Sequence, residues 1–155
     1  MIHNNSPKAK DIHSQLIRMP MKLLKITLLC TFAALSSRAF SQSIDAQILM
    51  KSLKPWQPVG IEVKTASVKI KLPTATVTSD AYEALISSGV CTPVWVKSAP
   101  EGYLKNTKEI HVVNKFSAQG YTFENPLNTC KKMGALMDDE AKTLMYGNTH
   151  GYVSK

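Results

Sequence analysis

A basic, then apolar, then small-residue succession near the start of the chain decides how much of it can build a core. Met21-Lys22-Leu23-Leu24-Lys25 is short and basic, and Ile26 to Leu35 is an uncharged apolar run of ten. Ser36-Ser37-Arg38-Ala39-Phe40-Ser41-Gln42 follows. That order is the pattern of a secretory signal peptide. The run is too short to span a bilayer, which takes about 20 apolar residues. Cleavage after Ser41 places Ala39 at −3 and Ser41 at −1, and cleavage after Ala39 is the alternative. A buried core helix of the same composition is the competing reading. Cys30 lies inside the apolar run behind Thr27-Leu28-Leu29, so it lacks the setting of a lipid-attachment cysteine. Residues 1–20 are polar and interrupted by Pro20. They read as a mis-assigned N-terminal extension, with Met19 or Met21 as alternative starts, or as a long basic region of the leader.

Removing 1–41 as a leader leaves one domain, 42–155, and changes the meaning of the charge. The whole chain carries a formal +8. Six of its basic residues and one acid lie in 1–41, so 42–155 holds thirteen basic and ten acidic residues, a net of +3. That is an ordinary protein surface, and no nucleic-acid partner is expected from it. All thirteen are lysines. Lysine cannot make the planar two-pronged contact that arginine makes with phosphate or carboxylate. With 44% hydrophobic residues the chain is also no disordered tail.

Two cysteines survive the leader, Cys91 and Cys130. An even count in an exported chain reads as a disulfide. Closing a loop of about 40 residues is worth roughly 4 kcal/mol in the chain-entropy model. Two buried free thiols are the competing reading. Two cysteines without CxxC spacing make neither a zinc set nor a redox pair. The mature part holds no N-x-S/T sequon, which favours a bacterial periplasmic or secreted origin.

Hydrophobic spacing then gives the elements. Ser43 caps a helix to about Leu53, with Ile44, Ile48, Leu49 and Leu53 inward. The Lys54-Pro55-Trp56-Gln57-Pro58 segment ends it. From Gly60 to Leu72 the apolar residues alternate but switch parity between Val63 and Val68, so a turn or bulge is expected at Thr65-Ala66-Ser67. Lys69 and Lys71 then share a solvent face. Ser79 or Asp80 caps a helix over 81–88, with Tyr82, Leu85 and Ile86 inward and Gly89 as its stop. Val90 to Val96 reads as a strand, irregular at Pro93. Residues 98–106 turn around Pro100-Glu101-Gly102, and 109–115 and 119–124 form a hairpin. Asn125-Pro126 starts a helix. Its stripe of Leu127, Cys130, Gly134, Met137, Ala141 and Leu144 keeps phase to 146, although a break at Gly134 with Asp138 capping a second helix is the rival reading. The expectation is an α+β domain: an antiparallel or mixed sheet of about four strands against a long C-terminal helix and two shorter helices. One disulfide would pin the long helix to the sheet.

No chemical motif assembles itself along the chain. The mature part has two histidines, His111 on a strand and His150 in a Gly-flanked tail that reads as a frayed terminus or a flap over a ligand. Asp138-Asp139-Glu140 reads as a cap or solvated face, and Met133, Met137 and Met145 as core filler. No GxSxG or phosphate loop is present, and no metal or cofactor is expected. Trp56, Tyr103, Lys69, Lys71 and His150 are the candidate contact residues, with Tyr121 or Phe123 turned outward. For Trp56, plugging the core edge is the competing reading. These features favour an exported, disulfide-tied binding or accessory protein of the bacterial envelope rather than an enzyme. It would act by contact with another envelope or secreted protein, as an inhibitor, immunity factor or assembly subunit. The alternatives are a small exported hydrolase using His111 or His150 with a carboxylate, and a periplasmic small-ligand carrier with a pocket between helix 126–146 and the sheet.

Overall fold

A computed structural model describes residues 43–154. The leader at 21–41, its cleavage point, Cys30 and the extension 1–20 lie outside the described residues.

Ser43 caps helix α1 (Ile44–Ser52), its hydroxyl accepting from the Ala46 amide at 3.2 Å. Of the expected inward stripe, Leu53 is buried and Ile48 packs half-buried against the core. Leu49 is buried, but Ile44 is exposed and Asp45 is buried instead. The Asp45 carboxylate accepts from the Leu104 amide at 2.7 Å and from the Thr107 hydroxyl at 2.6 Å. A buried charge needs such partners. The turn at residues 98–107 is therefore tied to α1 by a group that hydrophobic spacing cannot reveal.

The parity switch at 64–66 is a turn, separating β1 (Gly60–Val63) from the antiparallel β2 (Ser67–Lys71). The hairpin of β3 (Glu109–Val113) and β4 (Gly120–Glu124) forms as expected. Gly120 sits where a Cβ would run into the Val112 carbonyl. The tail is a fifth strand, β5 (Thr149–Gly151), antiparallel to β4. The sheet order is β1-β2-β3-β4-β5, mixed because β2 and β3 run parallel. A parallel pair needs a crossover connection, and that connection overturns two expectations.

The chain between β2 and β3 is one helical run, α2: a turn at Ser79–Ala84, a π-helical stretch at Leu85–Cys91 and a last turn at Thr92–Trp95. Thr78, not Ser79 or Asp80, supplies the cap, accepting from the Ala81 amide at 3.3 Å. Gly89 does not stop the helix, and 90–96 is not a strand. A Cβ on Gly89 would press on the Leu53 side chain and lie 3.4 Å from the Trp56 ring, so this glycine serves packing. Pro93 has no N–H for the carbonyl four residues back. The wider π turn absorbs that loss, and the Thr92 hydroxyl donates to the Ser87 carbonyl at 3.1 Å.

The expected helix 126–146 is two helices, α3 (Pro126–Met133) and α4 (Asp138–Gly147). At Gly134 the Trp95 ring occupies the place of a side chain, its Cδ1 2.6 Å from where a Cβ would stand. Asp138 opens α4 without supplying a side-chain cap. Asn125 precedes Pro126 in the left-handed region (φ 47°) and likewise caps with its position rather than its side chain.

Cys91 and Cys130 are joined, so the disulfide ties α2 to α3, not a strand to a long helix. Both sulfurs are buried in the core between helices and sheet, with Val68, Ile70, Ile110, Val112 and Phe123 as the sheet's contribution. Tyr82 spans this layer, its ring 4.7 Å from Tyr121 and its hydroxyl 2.8 Å from the Thr149 Oγ1.

Replacing Cys91 and Cys130 with alanine should cost roughly 4 kcal/mol, the loop-closure value for this separation of 39 residues. Urea unfolding of the oxidised protein against the double variant measures it, and a loss below about 1 kcal/mol would show that packing alone holds the helices. A second expectation concerns alkali. Burial pushes the phenols of Tyr82 and Tyr103 well above their ordinary value of 10.0; at Tyr103 the Asp45 charge adds to this. The unfolded chain ionises first, near pH 10. Stability is therefore full below that pH and falls as pH rises past it. Unfolding at pH 8 and pH 11 should show the fall, shallower in Tyr103→Phe; a flat profile contradicts it.

Candidate functional site

The helices cover one face of the sheet, and period-two alternation puts a different set of side chains on the other. Reading across the strands in register, this open face carries Glu62, Lys69, His111, Thr122 and His150, one from each. The two histidines flank Thr122, two strand spacings or about 10 Å apart. One step along, Glu109 stands directly opposite Glu124. Like charges in that position repel. Each carboxylate is matched by an imidazole: His150 Nδ1 lies 2.8 Å from the Glu124 Oε1, and His111 Nε2 3.5 Å from the Glu109 Oε2. The other nitrogen of His111 lies 2.9 Å from the Thr122 Oγ1.

Tyr152 partly roofs this row. Its amide donates to the Gly120 carbonyl at 3.0 Å, which extends the β5 pairing. Its ring meets His111 edge-on at 5.4 Å, and the Lys69 ammonium lies 5.7 Å from the ring centre. The result is a shallow groove of about 300 Å³ lined by Glu62, Lys69, Glu109, His111, His150 and Tyr152. The tail is thus a paired strand, neither frayed nor a free flap.

Of the expected contact residues, Lys69 and His150 meet in this groove. Lys71 shares the open face two residues on, opposite Val113. Tyr103 is buried, its hydroxyl donating to the Val90 carbonyl at 3.0 Å, and so is not on the surface. Trp56 ends a short 3-10 turn (Lys54–Trp56) and packs half-buried against the core. Neither Tyr121 nor Phe123 turns outward: Phe123 is fully buried and Tyr121 packs on Tyr82. Met133 and Met145 fill the core, whereas Met137 is 78% exposed. The space between α3–α4 and the sheet, where a ligand pocket was expected, holds Cys130, Met133, Met145 and Ile110 instead.

Sequence reasoning put His111 on the solvent parity of its strand but left His150 in a tail. A three-residue strand, Thr149-His150-Gly151, gives no alternation to detect. The Glu109–Glu124 opposition is visible only once the hairpin register is known.

Chemically the groove offers two imidazoles, each beside a carboxylate, and an ammonium. The hydroxyl that touches an imidazole, that of Thr122, is only 2% exposed, which shields it from a substrate. Among the described residues no three or more His, Cys, Asp or Glu side chains are placed to hold a metal ion. Comparison with protein-family models, with curated proteins and with solved structures finds no match for this chain.

The two imidazoles should respond differently to mutation. His150→Ala removes a half-exposed ion pair and should cost under about 1 kcal/mol. Thr122→Val removes a buried partner of His111 and should cost about 1–3 kcal/mol. Thermal or urea unfolding ranks them, and the reverse order would show that Thr122 does not anchor this face.

Proposed function

We propose that the chain is an exported, disulfide-tied binding or accessory protein of the bacterial envelope, and that the open face of its sheet is the surface it works with. The observation that carries this is the groove itself. All five strands contribute to a polar row of mixed charge that lines a shallow groove beside Tyr152. Mixed charge on a rigid sheet gives a partner register and selectivity more than raw affinity. Export accounts for the joined cysteines, which persist in an oxidising compartment. The partner on this reading is another envelope or secreted protein, met as an inhibitor, immunity factor or assembly subunit meets its target.

Site-specific photocrosslinking in intact cells tests this. A photoreactive residue at position 69 or 152 should capture one discrete protein, and the same residue at position 51, on α1, should not. Capture from position 51 alone, or from neither face, overturns the reading. Mass spectrometry of the cellular protein should find a chain beginning at Gln42 with the disulfide intact. An unprocessed, reduced chain in the cytosol would contradict export.

One observation favours a second reading, a small exported hydrolase. Both histidines of the mature part meet in one groove, each beside a carboxylate, as general acid–base chemistry requires. Turnover of an ester or amide substrate should then fall about 100-fold or more in both His111→Ala and His150→Ala. Turnover unchanged in both variants removes this reading.

A further inference from the structure

Away from the open sheet face, the lysines of the domain are not evenly spread. The loop after α2 and the exposed side of α3 form two adjoining grooves that share Lys105, Leu127 and Lys131. Lys97 lines the second groove and Lys108 the first. Glu101 is the one acid that lines either groove. All four lysines are exposed. Among the described residues none of the four lies within ion-pair distance of a carboxylate. The excess here equals the whole +3 of the mature part.

One end of this basic surface is apolar. Trp95 and Val96 immediately precede Lys97, and Leu136 and Met137 follow α3. The Trp95 ring lies over Gly134 and its Nε1 donates to the Cys130 carbonyl at 2.6 Å, which holds the end of α2 against the end of α3, two residues before Leu136. The exposed fractions are 63% for Val96, 78% for Met137, 41% for Leu136 and 37% for Trp95. Water-facing apolar side chains of this size, gathered at the ends of two joined helices, mark an interaction surface. The acids Asp138, Asp139 and Glu140 bound it beyond Met137, in the first turn of α4. There the helix N-terminus offsets part of their charge.

We propose that this face docks the protein on a bilayer surface that carries anionic phospholipid. A soluble polyanion would satisfy the lysines and leave Val96, Leu136 and Met137 in water. A membrane interface takes both, the ammonium groups at the phosphates and the apolar tips at the acyl boundary. Lysine suits this task. Attraction to a charged surface needs point charges within a Debye length rather than the geometry of an arginine fork. Each lysine near such a surface contributes about five-fold in binding constant.

The test is sedimentation of the disulfide-bonded full chain with vesicles of phosphatidylcholine alone, or with 30% phosphatidylglycerol. Residues 1–41, with their own net +5, are the same in every variant, so each substituted chain is read against the unsubstituted one. Replacing Lys97, Lys105, Lys108 and Lys131 with glutamine should weaken binding to the anionic vesicles about 100-fold or more. A charge-matched control at Lys51, Lys54, Lys64 and Lys71 should change it by less than about five-fold. Val96→Ser with Met137→Ser should weaken it while leaving the charge of this surface unchanged. In a Trp56→Phe background, brominated lipid should quench the Trp95 fluorescence. Three results each overturn the proposal: equal loss in the control variant, binding indifferent to phosphatidylglycerol, or no quenching of Trp95. Binding of polyphosphate or RNA as tight as that of anionic vesicles, with the serine variants unaffected, would assign the face to soluble polyanions and also overturn it.

Discussion

The join between α2 and α3 is the constraint from which the rest of the domain follows. Strands β2 and β3 are parallel and central in the sheet, and the chain between them must leave and return through a helix. That helix is irregular, with a π-helical middle, and owes its position to tertiary contacts more than to its own propensity. The Cys91–Cys130 bond fixes its end to α3. The Trp95 Nε1 reaches the Cys130 carbonyl, and its ring sits over Gly134. The same contact ends α3 and so sets where α4 begins. α4 then delivers the chain to β5, where the Thr149 hydroxyl meets the Tyr82 hydroxyl on α2. A covalent bond and one indole thus close a circuit running from the middle of the sheet to its edge.

The parts of the fold legible in the sequence were those governed by local pattern. The change of parity between Val63 and Val68 located the turn between β1 and β2. Alternation located the β3–β4 hairpin, and Ser43 marked the start of α1. The cysteine count gave the disulfide. What was not legible depended on what a residue meets in space. Gly89 and Gly134 carry the same local signal, a helix stop, yet the helix passes through one and ends at the other. Leu53 and Trp56 pack where a side chain on Gly89 would be, within a continuing helix, whereas Trp95 does so at Gly134, where the helix yields. Pro93 reads as a breaker until a π turn accommodates it. Asp45 and Tyr103 are buried for a similar reason. Each has found a backbone or hydroxyl partner on a distant segment, and no period along the chain announces that.

The open face was half legible. His111 and Lys69 follow from parity once their strands are placed, and they are register partners. His150 does not, because β5 is too short to show alternation and is held by contacts on its neighbours' side chains. The meeting of the two imidazoles is therefore a product of the Tyr82–Thr149 contact and the β4–β5 pairing.

A sheet face on which, among the described residues, no helix packs has to be stable without that layer, and this one is built for that. Its polar groups are matched, two pairs across strands and one along a strand: Glu62 opposite Lys69, Glu124 beside His150, and Glu109 beside His111 on β3. Thr122, the one member of the row that is fully buried, shares a hydrogen bond between its hydroxyl and the His111 Nδ1. Such pairs contribute only tenths of a kcal/mol each where water reaches them. They do not lock the surface, and they leave the His150 imidazole half-exposed and that of His111 partly so. The hydrophobic layer on the opposite face supplies the stability, which frees this face to present charge of both signs. A face stabilised by weak, water-exchangeable pairs can trade them for a partner's groups at little net cost. That is the physical condition for reversible recognition, and no other surface of the sheet meets it.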